Sequence, residues 1–383
     1  MGGVKRVNVN VVYLYSKTLK KSIGMKRFGL LWGVMALVAV ACSSGEKVGD
    51  MTFDSVEKLT CDSIAVNEIL KPSDWFALES SRAVVHSPIS EKLFYVYSLP
   101  EWKYLYSYGN KGEGPDDYRG SYVSLCDVNK DEFPVTSFAS GGLRERTLRA
   151  GESSIEVVGE RKWEKNFTTE YMYREFTVND SVYGLIDMTG WDENGVDVEN
   201  LRHFIYTNST ETGKHIDSLL LAEKMDYEAD ARGTTISGDI YNRAYIVYKH
   251  GKMYVFYGHA RRIDICDISP DGKISVEKTI GEPYTWEEVR MMDLKQETVN
   301  CVTDVQCTDD YIYCVTCDYQ DMGTWRKVLN TYVEVWDYDG NKVKKYDMAR
   351  NFNCVLVDEN NGYFYCHHTG YDFEWVFRYK YDL

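Results

Sequence analysis

Six short segments rich in tyrosine, valine and phenylalanine recur along the chain, and their spacing constrains the fold more than any other feature. β-branched and aromatic residues favour strands. Equivalent positions in the six segments are separated by 49, 50, 71, 59 and 51 residues. These positions are Val84, Phe133, Tyr183, Tyr254, Tyr313 and Phe364. A period of this length indicates one structural unit that is used several times.

Tight-turn signals follow most of these segments. Thr212-Gly213, Asp271-Gly272 and Asp339-Gly340 each separate two strand-like runs, and Pro100 occupies the same place in the first unit. Glycine supplies the positive φ that a short hairpin requires. Each unit is therefore interpreted as four antiparallel strands in about 50 residues, the size of a propeller blade. The prediction is an all-β fold, a six-bladed β-propeller of four-stranded antiparallel blades over residues 51–383.

The two longer intervals contain insertions. The first insertion is the polar run LAEKMDYEADARGTT, which begins at Leu221. The second is TWEEVRMMDLKQE, in which Thr285 and Glu288 have the spacing of a capping box. The second insertion therefore predicts a short helix.

The sixth unit contains three strands, and a three-stranded blade leaves one edge unpaired. The segment Met51–Leu59 has strand-like residues and lies outside the six units. We expect this N-terminal segment to pair with the terminal strand around Glu374–Tyr381. The pairing would close the last blade, and with it the ring.

The glycine-rich stretch GNKGEGPDDYRG, residues 109–120, raises the question of a phosphate-binding loop. Such a loop places Gly-Lys-Ser/Thr at the start of a helix, whereas here Gly-Pro-Asp-Asp-Tyr follows. The stretch lies between the last strand of the first unit and the first strand of the second. We interpret it as a connector between blades, in which glycines permit close backbone approach or positive φ. Its motif residues are Gly109, Gly112, Gly114, Pro115, Asp117 and Tyr118.

The connector and the strand pair before it resemble those of a known family, the TolB-like six-bladed propeller lipoproteins of Bacteroidota. In that family a G-x-K-G-x-G-P-x-E-Y/F connector follows an L-F-x-V-Y strand pair. Here the stretch reads LFYVYSLPEWKYLYSYGNKGEGPDDY, with Asp117 in place of the usual Glu. The resemblance covers roughly residues 50–383 and the N-terminal signal described next. It implies the propeller fold and a lipid anchor, and it implies little about biochemical activity.

The N-terminal region carries an export signal. Lys26 and Arg27 precede an uncharged apolar stretch, Phe28–Ala41, which is too short to span a bilayer comfortably. The stretch ends in AVAC, which resembles a bacterial lipobox with lipid attachment at Cys42, although Leu is commoner than Ala39 at its position. We therefore expect a signal peptide over residues 1–41 with the true start at Met25, and a lipid-anchored linker over residues 42–50. The alternative is an ordinary secretory signal with a chance cysteine.

Charge and signal together predict location and partners. Residues 1–41 hold seven of the 44 basic residues and no acidic residue, so the remaining chain has 37 basic against 59 acidic residues, a net charge of −22. Such a surface repels nucleic acid. We expect the protein in the cell envelope, anchored by lipid at the outer membrane. It would lie on either the periplasmic face or the surface face of that membrane.

The ten cysteines give no metal motif. Cys314 and Cys317 form a CVTC sequence inside a strand-like run. Residues three apart on a strand face opposite sides, so this pair does not clamp one metal, and no second pair completes a zinc set. Most cysteines other than Cys42 are interpreted as small buried apolar residues. A disulfide is possible in an exported protein, but its connectivity is not readable from sequence.

No catalytic constellation is evident. Neither a Gly-x-Ser-x-Gly nor a His-Glu-x-x-His motif occurs. The histidines are His86, His203, His215, His250, His259, His367 and His368. Of these, His259 and the pair His367-His368 end predicted strands and are candidates for a channel mouth. The spacing of the acidic turn Trp191–Asn200 does not match that of a calcium loop. No cofactor is therefore predicted, and a channel cation such as Ca²⁺ is kept as an alternative.

Two functions follow from these observations. The first is a binding or scaffold module for an unidentified glycan, peptide or protein. The alternative is a metal-assisted hydrolase or lyase with its site at the channel mouth, a location that propeller enzymes commonly use. The missing catalytic motifs favour the binding module.

Overall fold

The computed structural model describes residues 46–48, 50–139, 142–164, 173–189, 191–192, 195–196, 202–221, 244–259, 261–281, 286–322 and 326–383. All of them belong to one unit, Gly45–Leu383. The predicted signal segment, Cys42 and most of the polar insertion after Leu221 lie outside the described residues.

Three short strands come first in the chain. They are β1 (Glu46–Val48), β2 (Glu57–Lys58) and β3 (Cys61–Ala65). The blades follow. Blade 1 consists of β4 (Asp74–Leu78), β5 (Arg82–His86), β6 (Lys92–Ser98) and β7 (Lys103–Asn110). Blade 2 consists of β8 (Arg119–Val123), β9 (Glu132–Ala139), β10 (Gly142–Ala150) and β11 (Ile155–Glu164), with a 3-10 turn at Leu125–Asp127.

The third blade contains a small extra hairpin between its second and third strands. Blade 3 consists of β12 (Tyr173–Asn179), β13 (Val182–Thr189), β16 (Arg202–Ser209) and β17 (His215–Leu220), and the hairpin consists of β14 (Trp191–Asp192) and β15 (Gly195–Val196). This hairpin contains part of the acidic turn Trp191–Asn200; the rest of that turn lies outside the described residues.

A helix separates the fourth and fifth blades. Blade 4 consists of β18 (Ala244–Lys249), β19 (Lys252–Tyr257), β20 (Ile263–Ile268) and β21 (Ile274–Ile280), and α1 (Trp286–Leu294) follows. Blade 5 consists of β22 (Thr298–Cys307), β23 (Ile312–Asp321), β24 (Arg326–Trp336) and β25 (Lys342–Asp347). Blade 6 consists of β26 (Cys354–Asp358), β27 (Tyr363–His367) and β28 (Trp375–Lys380), with β3 as its fourth strand.

The blades form a ring, and the chain is a six-bladed β-propeller. The first strands of blades 3, 4, 5 and 6 contact one another in that order, and the first strand of blade 6 contacts that of blade 1, which places these strands innermost. Apolar side chains fill the spaces between adjacent blades. Phe133 and Val84 pack between blades 1 and 2, for example, and Tyr313 and Phe364 pack between blades 5 and 6. Each sheet is thus apolar on both faces, as layered packing requires.

The repeat positions mark the second strand of every blade. All six positions are buried, at 2% exposure or less, because these strands have a sheet neighbour on both edges and a blade on both faces. The predicted turns also form. Gly213, Gly272 and Gly340 have φ of +66°, +90° and +78°, as their hairpins require. The predicted helix is confirmed as α1, although Thr285 of its capping box lies outside the described residues.

The strand that closes the ring is not the predicted one. Residues 375–379 of β28 pair antiparallel with Cys61–Ala65, so the prediction that Met51–Leu59 fills this place is wrong. The apolar residues of Met51–Leu59 are used in packing instead. Phe53 lies edge-on against Trp336, with ring centroids 5.2 Å apart, and Leu59 is buried between blades 5 and 6. The N-terminal segment therefore closes the last blade, but one step later in the chain.

The first three strands form an N-terminal strap, residues 46–65, along the outer edges of three blades. β1 pairs parallel with β21 of blade 4, and β2 pairs parallel with β25 of blade 5. The strap then enters blade 6 as β3. Residues 46–48 fall within the segment 42–50, which the sequence predicts to be a linker. The strap covers edges that would otherwise be free to pair with other chains.

Candidate functional site in the central channel

The first strands surround a central channel with a cavity of about 970 Å³. Its described wall comes from β4, β8, β18, β22 and β26 and from the turns next to them. We call the end where the first strands begin the upper mouth, and the end where they turn into the second strands the lower mouth. Ser73, Asp74 and Asn353 lie at the upper mouth, and Glu79, Asp310 and other turn residues lie at the lower mouth.

The described channel wall is strongly acidic. The lining residues include seven carboxylic acids and two lysines. The acids are Asp74, Glu79, Asp304, Asp309, Asp310, Asp358 and Glu359, and the lysines are Lys130 and Lys249. Lys249 Nζ lies 2.8 Å from Asp309 Oδ1, and this hydrogen bond together with the lysine charge lowers the pKa of Asp309. Among the lining residues, the remaining charge is therefore largely negative.

Asp304 of the channel wall links two neighbouring blades and has a raised pKa. Its Oδ2 accepts a hydrogen bond of 2.8 Å from the backbone N–H of Val355, which ties the first strand of blade 5 to that of blade 6. Burial among protein atoms raises the pKa of Asp304 to about 7, and the nearby charge of Asp74 acts in the same direction. The carboxyl group therefore changes its charge near neutral pH, at the surface that a channel ligand meets.

A histidine connects blades 1 and 2 at the upper mouth. His86 Nδ1 lies 2.9 Å from Asp74 Oδ2 and 2.9 Å from Ser73 Oγ. On the other side of the ring, His86 Nε2 lies 2.9 Å from Ser121 Oγ. Ser73, Asp74 and Ser121 line the channel, whereas His86 lies behind them with no exposed surface.

This Asp74–His86–Ser121 relay has the connectivity of an acyl-transfer triad, in which a carboxylate orients the histidine and the histidine accepts the serine proton. The base in such a reaction must also reach the leaving group. Here the His86 ring is enclosed and stacks on Phe94, with centroids 5.1 Å apart and planes at 22°. The relay is therefore suited to holding Asp74 and Ser121 in fixed orientations on the channel wall.

The other candidate histidines do not line the described channel. His367 is buried between Trp75 and Phe373, and burial lowers its pKa to about 4, so it is neutral at physiological pH. His259 is buried beside Tyr319, and His368 packs against Tyr371. In the sequence, His86 is one of seven histidines, and no local motif distinguishes it from the others.

The glycine-rich connector lies between β7 and β8, beside the upper mouth. Its amides bond within the loop: Gly112 N donates to Tyr118 O at 3.1 Å, and Gly114 N donates to Asp117 Oδ2 at 3.1 Å. Tyr118 N donates to Asn110 O at 2.9 Å. These amides are therefore not directed at a phosphate.

The expected positive φ occurs at Gly109 (+82°) but not at Gly112 or Gly114. At those two positions the restriction is one of space. A Cβ atom would lie 2.4 Å from Asp117 Oδ2 at Gly112 and 2.7 Å from it at Gly114.

Two buried arginines of β10 donate hydrogen bonds to the backbone of the connector. Arg144 donates to the carbonyl oxygens of Pro115 and Asp117, and Arg146 donates to those of Pro115 and Asp116. The two arginines lie on one face of the strand because they are two residues apart. The Arg146 guanidinium also lies 5.0 Å from the centre of the buried Tyr118 ring. The connector is thus clamped onto blade 2.

No group of three or more His, Cys, Asp or Glu side chains within the described ranges is arranged to hold a metal ion. The part of the chain that the structure describes also contains no helix long and apolar enough to cross a membrane.

Comparisons with known proteins give no family. No model of a known protein family matches the chain, and no curated protein matches it. A Bacteroides fragilis protein provisionally described as exported has a similar structure, with a TM-score of 0.47 and 11% identity over 88% of this chain and 98% of that one. Raptor of Chaetomium thermophilum gives a TM-score of 0.42 at 12% identity, over 86% of this chain and 29% of that one.

A third similar structure is a Bacteroides uniformis protein provisionally described as a 6-phosphogluconolactonase. It gives a TM-score of 0.36 at 11% identity over 79% of each chain. Likenesses this distant carry no argument about function. The propeller assignment rests on the sheet topology, and membership of the TolB-like family stays a prediction.

Proposed function

We propose that the protein is a lipid-anchored protein of the bacterial cell envelope that binds cationic peptide segments in its central channel. The observation that carries this proposal is the acidic channel wall, with seven carboxylic acids against two lysines, of which Lys249 is paired with Asp309. A cleft lined by one sign of charge concentrates ligands of the opposite sign. A peptide segment with lysine or arginine side chains therefore fits better than a neutral glycan.

The size and rim of the channel support a peptide ligand. Its volume of about 970 Å³ lies at the upper end of the usual range for ligand pockets. Ile89 and Tyr371 lie in turns on the upper-mouth side, next to channel-lining Pro88 and near Thr369, and are 65% and 66% exposed. In this proposal, these two side chains contact apolar parts of the bound peptide.

The lipobox at Cys42 and the apolar stretch before it support the envelope location, at the outer membrane. The acidic net charge argues against nucleic acid as a partner. For the alternative function, a metal-assisted hydrolase or lyase, the described residues supply no supporting ligand set.

Carbodiimide coupling tests the proposed ligand site. This reagent joins amines to carboxylates that they contact, so trilysine amide at low concentration should couple mainly to Glu79 and Asp310, as mapped by mass spectrometry after proteolysis. Coupling spread evenly over surface acids such as Glu152 and Glu156 would contradict a channel site. Trilysine amide with all four amines acetylated, which has neither an amine nor a carboxylate to couple, is the control probe.

Lipid attachment is tested separately. Mass spectrometry of protein extracted from the envelope should show an acylated N-terminal Cys42, and Cys42→Ala should release the protein from membranes. A soluble wild-type protein with an unmodified N-terminus elsewhere would contradict the anchor without bearing on the channel.

A further inference from the structure

Two cysteines of blade 5 face each other across neighbouring strands. Cys301 of β22 and Cys317 of β23 are directly opposed in the antiparallel ladder, and their Sγ atoms lie 3.1 Å apart. Directly opposed residues in such a ladder have Cα atoms about 4.5–5.5 Å apart. A disulfide requires Cα atoms about 4.4–6.8 Å apart, so the strand register already meets this requirement.

We propose that Cys301 and Cys317 form a disulfide in the exported protein. This proposal rests on the export part of the proposed function, since disulfides persist in extracytoplasmic compartments and are rare in the cytosol. It also separates the two cysteines of the CVTC sequence. Cys317 faces its partner and α1, whereas Cys314 packs on the opposite side, in the core between blades 4 and 5.

The surroundings determine when the bond forms. Both sulfurs are buried in a small apolar cluster with Val289, Val299 and Tyr319, under α1. An oxidant reaches them only while α1 is unpacked, so the bond forms during folding. Once α1 has packed, the same cover protects the bond from soluble thiols.

The chemistry is thiol–disulfide exchange with a disulfide reagent, either an oxidoreductase in its disulfide form or glutathione disulfide. While α1 is unpacked, one thiol of the pair, for example that of Cys317, loses its proton and becomes the attacking thiolate. It attacks one reagent sulfur, forms a mixed disulfide and releases one thiolate. The Cys301 thiol then loses its proton and attacks the Cys317 sulfur, which releases the second thiolate. The pair loses two protons and two electrons, and the reagent disulfide is reduced to two thiols.

Refolding of the full chain tests the pairing. Wild-type protein is unfolded, reduced, refolded with reduced and oxidised glutathione, and then alkylated in denaturant, so that every free cysteine can react. We expect two cysteines to escape alkylation and one linked peptide pair to contain Cys301 and Cys317. Cys301→Ala should abolish the link. Cys266→Ala should leave it intact, because Cys266 is buried in blade 4 opposite Met253 and Val276.

A stability readout accompanies the mapping. The melting temperature of the oxidised wild type should fall by several degrees on reduction, and that of Cys301→Ala should not change with reductant. Complete alkylation of refolded wild type, or a link between other cysteines, would overturn the proposal.

Protein taken from cells distinguishes this proposal from the proposed function. Lipidated Cys42 together with fully alkylated Cys301 and Cys317 would overturn the disulfide and leave the envelope location intact. A cytosolic, unlipidated protein would overturn the location, and the disulfide of the exported protein with it, while refolding still reports whether the register permits the bond.

Discussion

The imidazole Nε2 of His86 in blade 1 lies 2.9 Å from the hydroxyl oxygen of Ser121 in blade 2, and this contact joins the two blades at the upper mouth of the channel. Ser121→Ala would leave a buried ring nitrogen without its partner, at a cost of about 1–3 kcal/mol in the free energy of unfolding. Chemical denaturation measures this cost. Ser73→Ala is the matched control and should cost less, because His86 Nδ1 keeps Asp74 at 2.9 Å. Equal losses in the two variants would show that the bond between His86 and Ser121 does not stabilise the fold more than the bond between His86 and Ser73.

The connector glycines give a second prediction. Gly114→Ala should destabilise the fold by about 1–3 kcal/mol, because its Cβ atom would lie 2.7 Å from Asp117 Oδ2. A double-mutant cycle with Asp117→Ala checks the cause, since the alanine Cβ atoms would then lie about 3.9 Å apart. The combined loss should be smaller than the sum of the two single losses. Additive losses would mean that the contact with Asp117 is not the reason for the glycine.

The propeller could be predicted from the sequence because its second strands are buried on both faces, which makes Val84, Tyr254 and their equivalents a strong periodic signal. The identity of the strand that closes the ring could not be predicted from the sequence. Cys61 and Ile64 are only partly buried in β3, whereas Phe53 and Leu59 are more conspicuous and pack across blade edges instead.

The Asp74–His86–Ser121 relay could not be predicted from the sequence either, for a different reason. Asp74, His86 and Ser121 are brought together by strand pairing within blade 1 and by the contact between blades 1 and 2. No short motif spans them, so seven histidines look alike in the sequence.

Ring closure gives a third prediction, which separates the roles of the strap strands. A chain that begins at residue 60 keeps β3 and loses β1 and β2, whereas a chain that begins at residue 66 loses all three. The second truncation should lower the melting temperature by roughly 10 °C or more relative to the first, because it exposes the edge of blade 6. Differential scanning calorimetry compares the two with the parent. If both truncations melt alike, β3 does not close the ring.

The carboxyl group of Asp304 gives a pH prediction. Its pKa is raised to about 7 in the folded protein, above the ordinary value of 3.8, because of burial. Between these values the folded state holds the proton and the unfolded state does not, so this group makes stability fall as pH rises from about 4 to 7.

Asp304→Asn removes the charge and keeps an oxygen that can accept from Val355 N–H. At pH 8 the free energy of unfolding of the variant should exceed that of the wild type by roughly 1–3 kcal/mol. A fully enclosed carboxylate would give a larger difference, but the Asp304 side chain also contacts the channel. The difference should shrink at pH 5, as measured by denaturant unfolding at both pH values. A difference that does not depend on pH would contradict the raised pKa.

Titration with trilysine amide tests the binding function most directly, by isothermal calorimetry at low salt. Glu79 and Asp310 are exposed at the lower mouth, so Glu79→Lys/Asp310→Lys reverses two of the charges in the channel with little effect on folding. Glu152→Lys/Glu156→Lys makes the same change in net charge at the outer edge of blade 2. We predict binding by the wild type and by the outer-edge variant, and affinity about tenfold weaker or more in the channel variant. Absence of binding to the wild type, or equal weakening in both variants, would contradict a cationic ligand in the channel.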